Sequence, residues 1–211
     1  MKEVILSEKP LIRAYNSDCM LAMEGMRENE YELAIVDPEF GIGIGNSPRL
    51  VKDKGLVAKD WDNKTIDDSY FCRVKNISSN QIIWGGNYYS LGPSKHCIIW
   101  DKVQPITFSF GMFDFAWTSF SKPNKIFKQS VLHEKNKIHP TQKPVSLYRF
   151  LIQNYATPGD RILDTHGGSM SIAIACHMEG YDLDIWEKDE EYFEAAVKRF
   201  KAYSSQLNMF V

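Results

Sequence analysis

An α/β sandwich on a mostly parallel, Rossmann-like twisted sheet is the fold class that this 211-residue chain predicts. Three observations carry the prediction. Short apolar runs closed by turn residues alternate with segments of three- and four-residue apolar spacing, and strands alternating with helices of this length form a parallel sheet with helices on both faces. The composition, 44% hydrophobic and 25% charged, is that of a folded chain rather than a disordered one. The length suits one core, read here as a single domain over residues 1–211.

Taken in order, the first expected strand is 33–36 (Leu-Ala-Ile-Val), closed by Asp37-Pro38; proline favours extended backbone in the residue before it. The second, 81–84, is stopped by Gly85-Gly86, and the third, 97–100, by Asp101. Arg161–Asp164 follows the turn Pro158-Gly159-Asp160 and precedes Gly167-Gly168, and 182–186 ends in acids. Helical patterns fall at 20–26 and 67–74. Val145, Tyr148, Leu151, Ile152 and Tyr155 recur at three and four, with Pro144 expected in the first turn. Two more helices are expected at 171–178 and 190–203, the latter with Phe193, Val197 and Phe200 on one face. Within 108–120, Phe108, Phe110, Phe113, Phe115 and Trp117 alternate, as in a strand with one apolar face before a base-stacking platform. Cys19, Cys72, Cys97 and Cys176 stand singly in or beside apolar runs, read as reduced core residues without metal spacing.

The formal net charge of −2 excludes a global polycation, so any phosphate contact must be local. Residues 121–143 hold six lysines against Glu134, whereas 179–194 hold eight acids against Lys188. The lysine run, including Lys122, Lys125 and Lys128, reads as a phosphate-facing patch or as solvated surface. With no run of about 18 apolar residues and no signal-like N-terminus, a cytoplasmic, non-membrane protein is expected.

Two constellations carry chemistry. In Asp164-Thr165-His166-Gly167-Gly168-Ser169-Met170 a strand turns into a helix, where small residues admit a ligand to the backbone and free amides face it. Glu187, nineteen residues after Gly168 and just past the next strand, is placed to accept both hydroxyls of an adenosine ribose. Two glycines are too few for the close approach of a pyrophosphate, which disfavours a dinucleotide-dependent oxidoreductase and leaves a mononucleoside such as S-adenosyl-L-methionine. The plain alternative is a tight turn with Glu187 solvated and His166 closing it.

The second constellation is Asp37-Pro38-Glu39-Phe40-Gly41. An exocyclic base amine is a poor nucleophile because its lone pair is delocalised, so acceptors must hold its hydrogens. The Asp37 carboxylate and the Pro38 carbonyl can do so, and Phe40 can stack on the base. Asp37 also suits the positive charge that develops on nitrogen. A capped turn is again the plain alternative. Near it, His139, Thr141, Gln142 and Lys143 form a polar cluster for a methionine carboxylate or the substrate backbone, with Thr141 as a helix cap the other reading. Asn87 and Tyr88 line a base pocket or simply pack.

Together these residues resemble the permuted, beta-group amino-methyltransferases that act on DNA at adenine N6 or cytosine N4. The carriers are Asp37-Pro38-Glu39-Phe40, His139-Pro140-Thr141-Gln142-Lys143-Pro144, the loop from Asp164, and Glu187 followed by Asp189, with the tetrapeptide preceding the cofactor loop as in that family. The resemblance implies a methyltransferase fold, S-adenosyl-L-methionine as donor and a flipped base in DNA as acceptor. It implies Asp37, Pro38 and Phe40 as the catalytic set. Asp164, His166, Gly167, Gly168 and Glu187 would hold the cofactor, with Thr141, Gln142 and Lys143 beside its methionine end. Glu39, Asn87, Tyr88, His139 and the lysines would face DNA. Aspartate rather than serine at 37 leans toward adenine N6.

Three departures stand out. Glu39 occupies a position usually proline, where it would raise the Asp37 pKa, repel a phosphate or point outward. Met170 occupies a position usually glycine and would narrow the cofactor pocket. The span 101–138 is short for a target-recognition insertion, so specificity rests on a short site or a partner subunit. The first two departures motivate a silent homologue that binds cofactor or DNA without transfer; a small acidic chain also suggests a homodimer around DNA.

Overall fold

The structure is a computed structural model and describes residues 1–46, 58–107, 111–130 and 137–207. In chain order the described elements are β1 (Lys2–Glu8), β2 (Leu11–Asn16), α1 (Cys19–Met23), β3 (Tyr31–Val36), α2 (Asp68–Ile77), β4 (Ser78–Trp84), β5 (Cys97–Asp101) and β6 (Phe113–Thr118). There follow β7 (Lys125–Lys128), α3 (Val145–Tyr155), β8 (Arg161–Asp164), α4 (Ser171–Glu179), β9 (Asp182–Glu187) and α5 (Glu190–Leu207).

The strands form one nine-stranded sheet in the order β1-β2-β9-β8-β3-β4-β6-β5-β7. From β2 to β4 all neighbours are parallel; β1 and β6 run against theirs. The middle strands are buried on both faces, which is why they read as continuous apolar runs. In β3, Leu33 and Ile35 join the core under α3, α4 and α5, while Ala34 and Val36 join the core under α1 and α2. One carboxylate stitches four adjacent strands: Asp184 of β9 accepts from Arg13 Nε of β2 at 2.7 Å, from the Tyr31 hydroxyl of β3 at 2.8 Å, and from Arg161 of β8.

Chain direction places the site. From β3 the chain crosses through α2 to β4 on one side; from β8 it crosses through α4 to β9 on the other. The β3/β8 boundary is therefore a topological switch point, where a crevice opens beyond the carboxyl ends. On the β4 side a wall rises: Trp84 is level with Ala116, but Asp101 is level with Phe113, three residues further out, or about 10 Å at ~3.3 Å per residue.

The fold class and the five expected parallel or buried strands are borne out. The edge strands β1 and β7 and the interior strand β2 were not anticipated, and β6 and β7 show that 101–138 contributes strands to the sheet itself. Pro144 sits one residue before α3 rather than within it. Cys72 corrects the core assignment, since it is exposed while Cys19 and Cys176 are buried; α2 turns Tyr70, Phe71, Val74 and Ile77 to the sheet and position 72 away. Phe108, Phe110, Glu134 and Lys135 lie outside the described residues.

Candidate functional site

The acceptor-side loop leaves β3 at Asp37. Its backbone is folded around Asp62, a 1% exposed carboxylate that accepts from the amides of Phe40 (2.8 Å), Gly41 (2.9 Å) and Ile44 (2.8 Å). Sequence reasoning missed Asp62; an Asp beside Trp61 in a polar, turn-like stretch was its one local signal. The Tyr89 hydroxyl donates toward the carbonyls of Pro38 (3.1 Å) and Glu39 (3.0 Å), leaving each a second lone pair. Phe40 packs flat on Gly85, where a Cβ would stand 2.2 Å from the ring, so only glycine fits. Tyr88 stacks on Phe40 with centroids 5.0 Å apart and planes at 13°.

Lys143, 3% exposed, is ion-paired to Asp37 Oδ2 and lies over the Trp84 ring at 5.2 Å. The other carboxylate oxygen, Oδ1, is buried with no hydrogen-bond partner. Burial pushes the Asp37 carboxyl upward in pKa, and Lys143 opposes it. Asp37, Pro38, Phe40, Asn87, Tyr88, Thr141, Gln142 and Lys143 all line one cavity of about 1080 Å³, bounded on its far side by the wall residues Trp100, Phe113, Asp114 and Trp117. Asp114 is held there by Lys102 at 2.7 Å.

The cofactor-side loop leaves β8 at Asp164, which is 1% exposed; burial pushes its carboxyl up to about 7. Gly168, with φ +49°, donates its amide to Glu187 Oε2 at 2.7 Å, and Asp189 donates to Oε1 at 2.8 Å. Each oxygen keeps lone-pair capacity for a hydroxyl. Met170 has φ 52° just before α4, a left-handed conformation that explains why glycine suits the position. Its side chain is fully buried and packs in the main core.

Asp164, His166, Gly167, Gly168 and Glu187 thus cluster at the ends of β8 and β9 and do not line the cavity. Glu39 does not line the cavity either. Its Oε2 lies 3.2 Å from His166 Nε2. His139 is buried between Tyr192 (4.4 Å) and Trp61 (5.2 Å), and burial drives its pKa down to about 3. The Thr141 hydroxyl meets His139 Nδ1 at 3.1 Å instead of capping α3. Lys122 donates to the Asn154 carbonyl at 3.1 Å, and neither it, Lys125 nor Lys128 lines the cavity. A further strap joins the two sides: Lys59 donates to both oxygens of Asp189 (2.7 and 2.6 Å). Among the described residues no helix is long and apolar enough to cross a membrane.

Comparison with known proteins bears on the family and the fold. Residues 48–198 match a family model described as DNA methylase, a stretch that starts just after the Asp37–Phe40 loop. The type II methyltransferase M.HpaI of Haemophilus parainfluenzae is 24% identical over 229 positions, spanning 87% of this chain and 72% of that protein. Among solved structures, M1.HpyAVI in complex with SAM superposes with a TM-score of 0.63 at 18% identity, covering 89% of this chain and 99% of the other. The cytosine-N4-specific PvuII DNA methyltransferase gives 0.63 at 14% identity, covering 93% of each.

Proposed function

The chain belongs to the DNA methylase family, and from that premise we propose that it moves a methyl group from S-adenosyl-L-methionine to an exocyclic amine of an everted base in DNA. The observation that carries the reading is Asp37: an ion-paired carboxylate at the switch point whose second oxygen is buried and unpartnered, lining a cavity with room for a base. An orphaned acceptor there is a costly arrangement unless a donor is to arrive, and a base amine is such a donor.

The residues fit the cofactor. Glu187 would take the ribose hydroxyls and the Gly167-Gly168 turn would lie against the nucleoside. S-adenosyl-L-methionine supplies, when bound, a methyl on positively charged sulfur, open to direct displacement. The chain's own groups do the rest. Asp37 Oδ1 and the remaining lone pair of the Pro38 carbonyl accept the amine hydrogens, which favours a pyramidal nitrogen. Lys143 opposes the upward pull of burial on the Asp37 carboxyl, and the carboxylate form answers the charge that grows on nitrogen. The 5.0 Å between Phe40 and Tyr88 is too narrow for an interposed ring, so the base replaces Tyr88 against Phe40; at 45% exposure Tyr88 has room to swing aside.

The aspartate at 37 supports adenine N6, while the fold likeness to a cytosine-N4-specific enzyme keeps cytosine N4 within the same reading. The wall of β5, β6 and β7 is the surface we assign to DNA recognition. Nucleoside analysis of unmodified mixed-sequence DNA, incubated with protein and S-adenosyl-L-methionine, tests activity and base together. N6-methyladenine or N4-methylcytosine is expected, and neither appearing overturns the reading. A silent binder is the second reading, motivated by Glu39 and Met170; activity absent from the parent and present in Glu39→Pro would establish it.

A further inference from the structure

Two loops face each other across the β3/β8 crevice, and one side-chain contact joins their tips. Glu39, on the acceptor side, meets His166, on the cofactor side, at 3.2 Å, with the two side chains 29% and 16% exposed. Both ends are braced. His166 Nδ1 lies 2.9 Å from the Thr165 hydroxyl and 3.4 Å from that of Tyr70; those two hydroxyls meet at 2.6 Å. The His166 amide donates to Asp164 Oδ1 at 2.9 Å. The Glu39 carbonyl is held by Tyr89, and the next residue, Phe40, by Asp62.

The surrounding charges favour an ion pair. Burial works against the imidazolium, but Glu39 outweighs it, seconded by Asp164 and Glu187, and holds the His166 pKa above its ordinary value. Burial likewise opposes the Glu39 carboxylate, yet His166 pulls it down to about 2, with Lys188 adding to the effect. Lys188 is itself paired to Asp18 at the start of α1, 2.7 Å away. Asp37 also feels the His166 charge. The neutral titratable neighbours keep their protons: burial raises Tyr70 far above its ordinary value and Cys19 to about 12.

We propose that Glu39 and His166 are a positioning pair: their link across the crevice fixes the separation between the loop that carries Asp37 and the loop that carries Gly168. The inference rests on the methyltransferase reading and adds a role for a residue pair that touches neither reacting atom. Displacement of about 1 Å between reacting groups can cost ~10²-fold in rate, so a link of this kind acts on the chemical step more than on binding.

The test uses the full chain with Glu39→Gln, His166→Asn and the double variant. Each single change is expected to lower single-turnover methyl transfer at saturating S-adenosyl-L-methionine and DNA by roughly 10- to 100-fold, with cofactor affinity in Glu39→Gln within about threefold. The double variant should be no slower than the slower single one, because both remove one contact. The parent rate should fall as pH rises through the His166 titration, and that limb should vanish in His166→Asn. Glu39→Pro should lose activity too. Parent-like rates in Glu39→Gln, or additive losses in the double variant, overturn the proposal. A readout independent of activity is the His166 ring resonance in the unliganded protein: it should titrate above the ordinary histidine value of about 6.5 and drop in Glu39→Gln. An ordinary titration overturns the pair even if methylation proceeds. A parent that binds cofactor and methylates nothing overturns the functional reading, and the positioning role with it.

Discussion

Lys143 reaches Asp37 over the Trp84 ring and engages one carboxylate oxygen while the other stays buried without a partner. The lysine comes from the turn before α3 and the aspartate from the end of β3, so the acceptor centre is assembled from segments 106 residues apart in sequence. The arrangement makes the Asp37 charge dependent on Lys143, and the first prediction follows from that dependence.

Lys143→Met keeps volume and removes the cation. Without it, burial raises the Asp37 pKa with only the His166 charge against it, so the acid limb of the transfer rate should move to higher pH. The rate at neutral pH should fall by about 10²-fold, the size of a lost electrostatic element in an active site. Single-turnover rates across pH read both. An acid limb that stays in place would show that Lys143 serves the cofactor rather than Asp37.

Asp37→Ala and Glu187→Ala should divide binding from chemistry. The first removes a contact made to the acceptor amine, so rate should drop by ~10²-fold or more while cofactor affinity holds. The second removes two charge-assisted bonds to ribose worth about 1.5–3 kcal/mol each, so affinity should fall more than tenfold with rate at saturation largely kept. Calorimetry beside single-turnover kinetics decides, and the reverse pattern would exchange the two roles.

Asp184→Ala unpicks the stitch across β2, β9, β8 and β3. Losing one partner of a fully buried pair costs about 3–5 kcal/mol; Arg13 and Arg161 are 29% and 33% exposed, so about 2–3 kcal/mol is expected after allowing for screening. Burial alone would raise the Asp184 pKa, but Arg13, Arg161 and Tyr31 outweigh it and hold it below the ordinary value. The stabilisation is therefore present above about pH 4, the unfolded aspartate value, and is lost as pH falls through the lower folded value. Melting temperatures of parent and variant should differ at pH 7 and converge in strong acid.

Met170→Gly sets two effects against each other. Relief of the left-handed backbone gains about 1–2 kcal/mol, while loss of a fully buried methionine side chain costs about 2–5 kcal/mol. The cavity term is the larger, so a net loss of roughly 1–3 kcal/mol is expected in urea unfolding. A stabilised glycine variant would mean that the side chain packs less well than its burial implies.

The parallel centre of the sheet was legible because its strands are apolar on both faces and end in chemistry a reader can see, as Val36 before Asp37-Pro38 and Asp164 before the glycine turn. The edges were not. In β7, Lys125-Ile126-Phe127-Lys128 has exposed alternate positions and reads as part of a charge run. The loops of the site were visible as motifs, but not their partners. Glu39 with His166, Lys143 with Asp37 and Lys59 with Asp189 join segments brought together by the strand order, and a single sequence gives no sign of which distant charge a charge will meet. Asp62 was missed for a different reason: its partners are backbone amides, which leave no trace in side-chain identity.

Among the described residues, β5, β6 and β7 extend past the end of β4 on one flank of the crevice. On the proposed function, a duplex that delivers a base to Asp37 would meet this wall on one side of that base. Hydroxyl-radical footprinting of a stalled complex should record an uneven trace, with the protected stretch displaced from the modified nucleotide instead of centred on it.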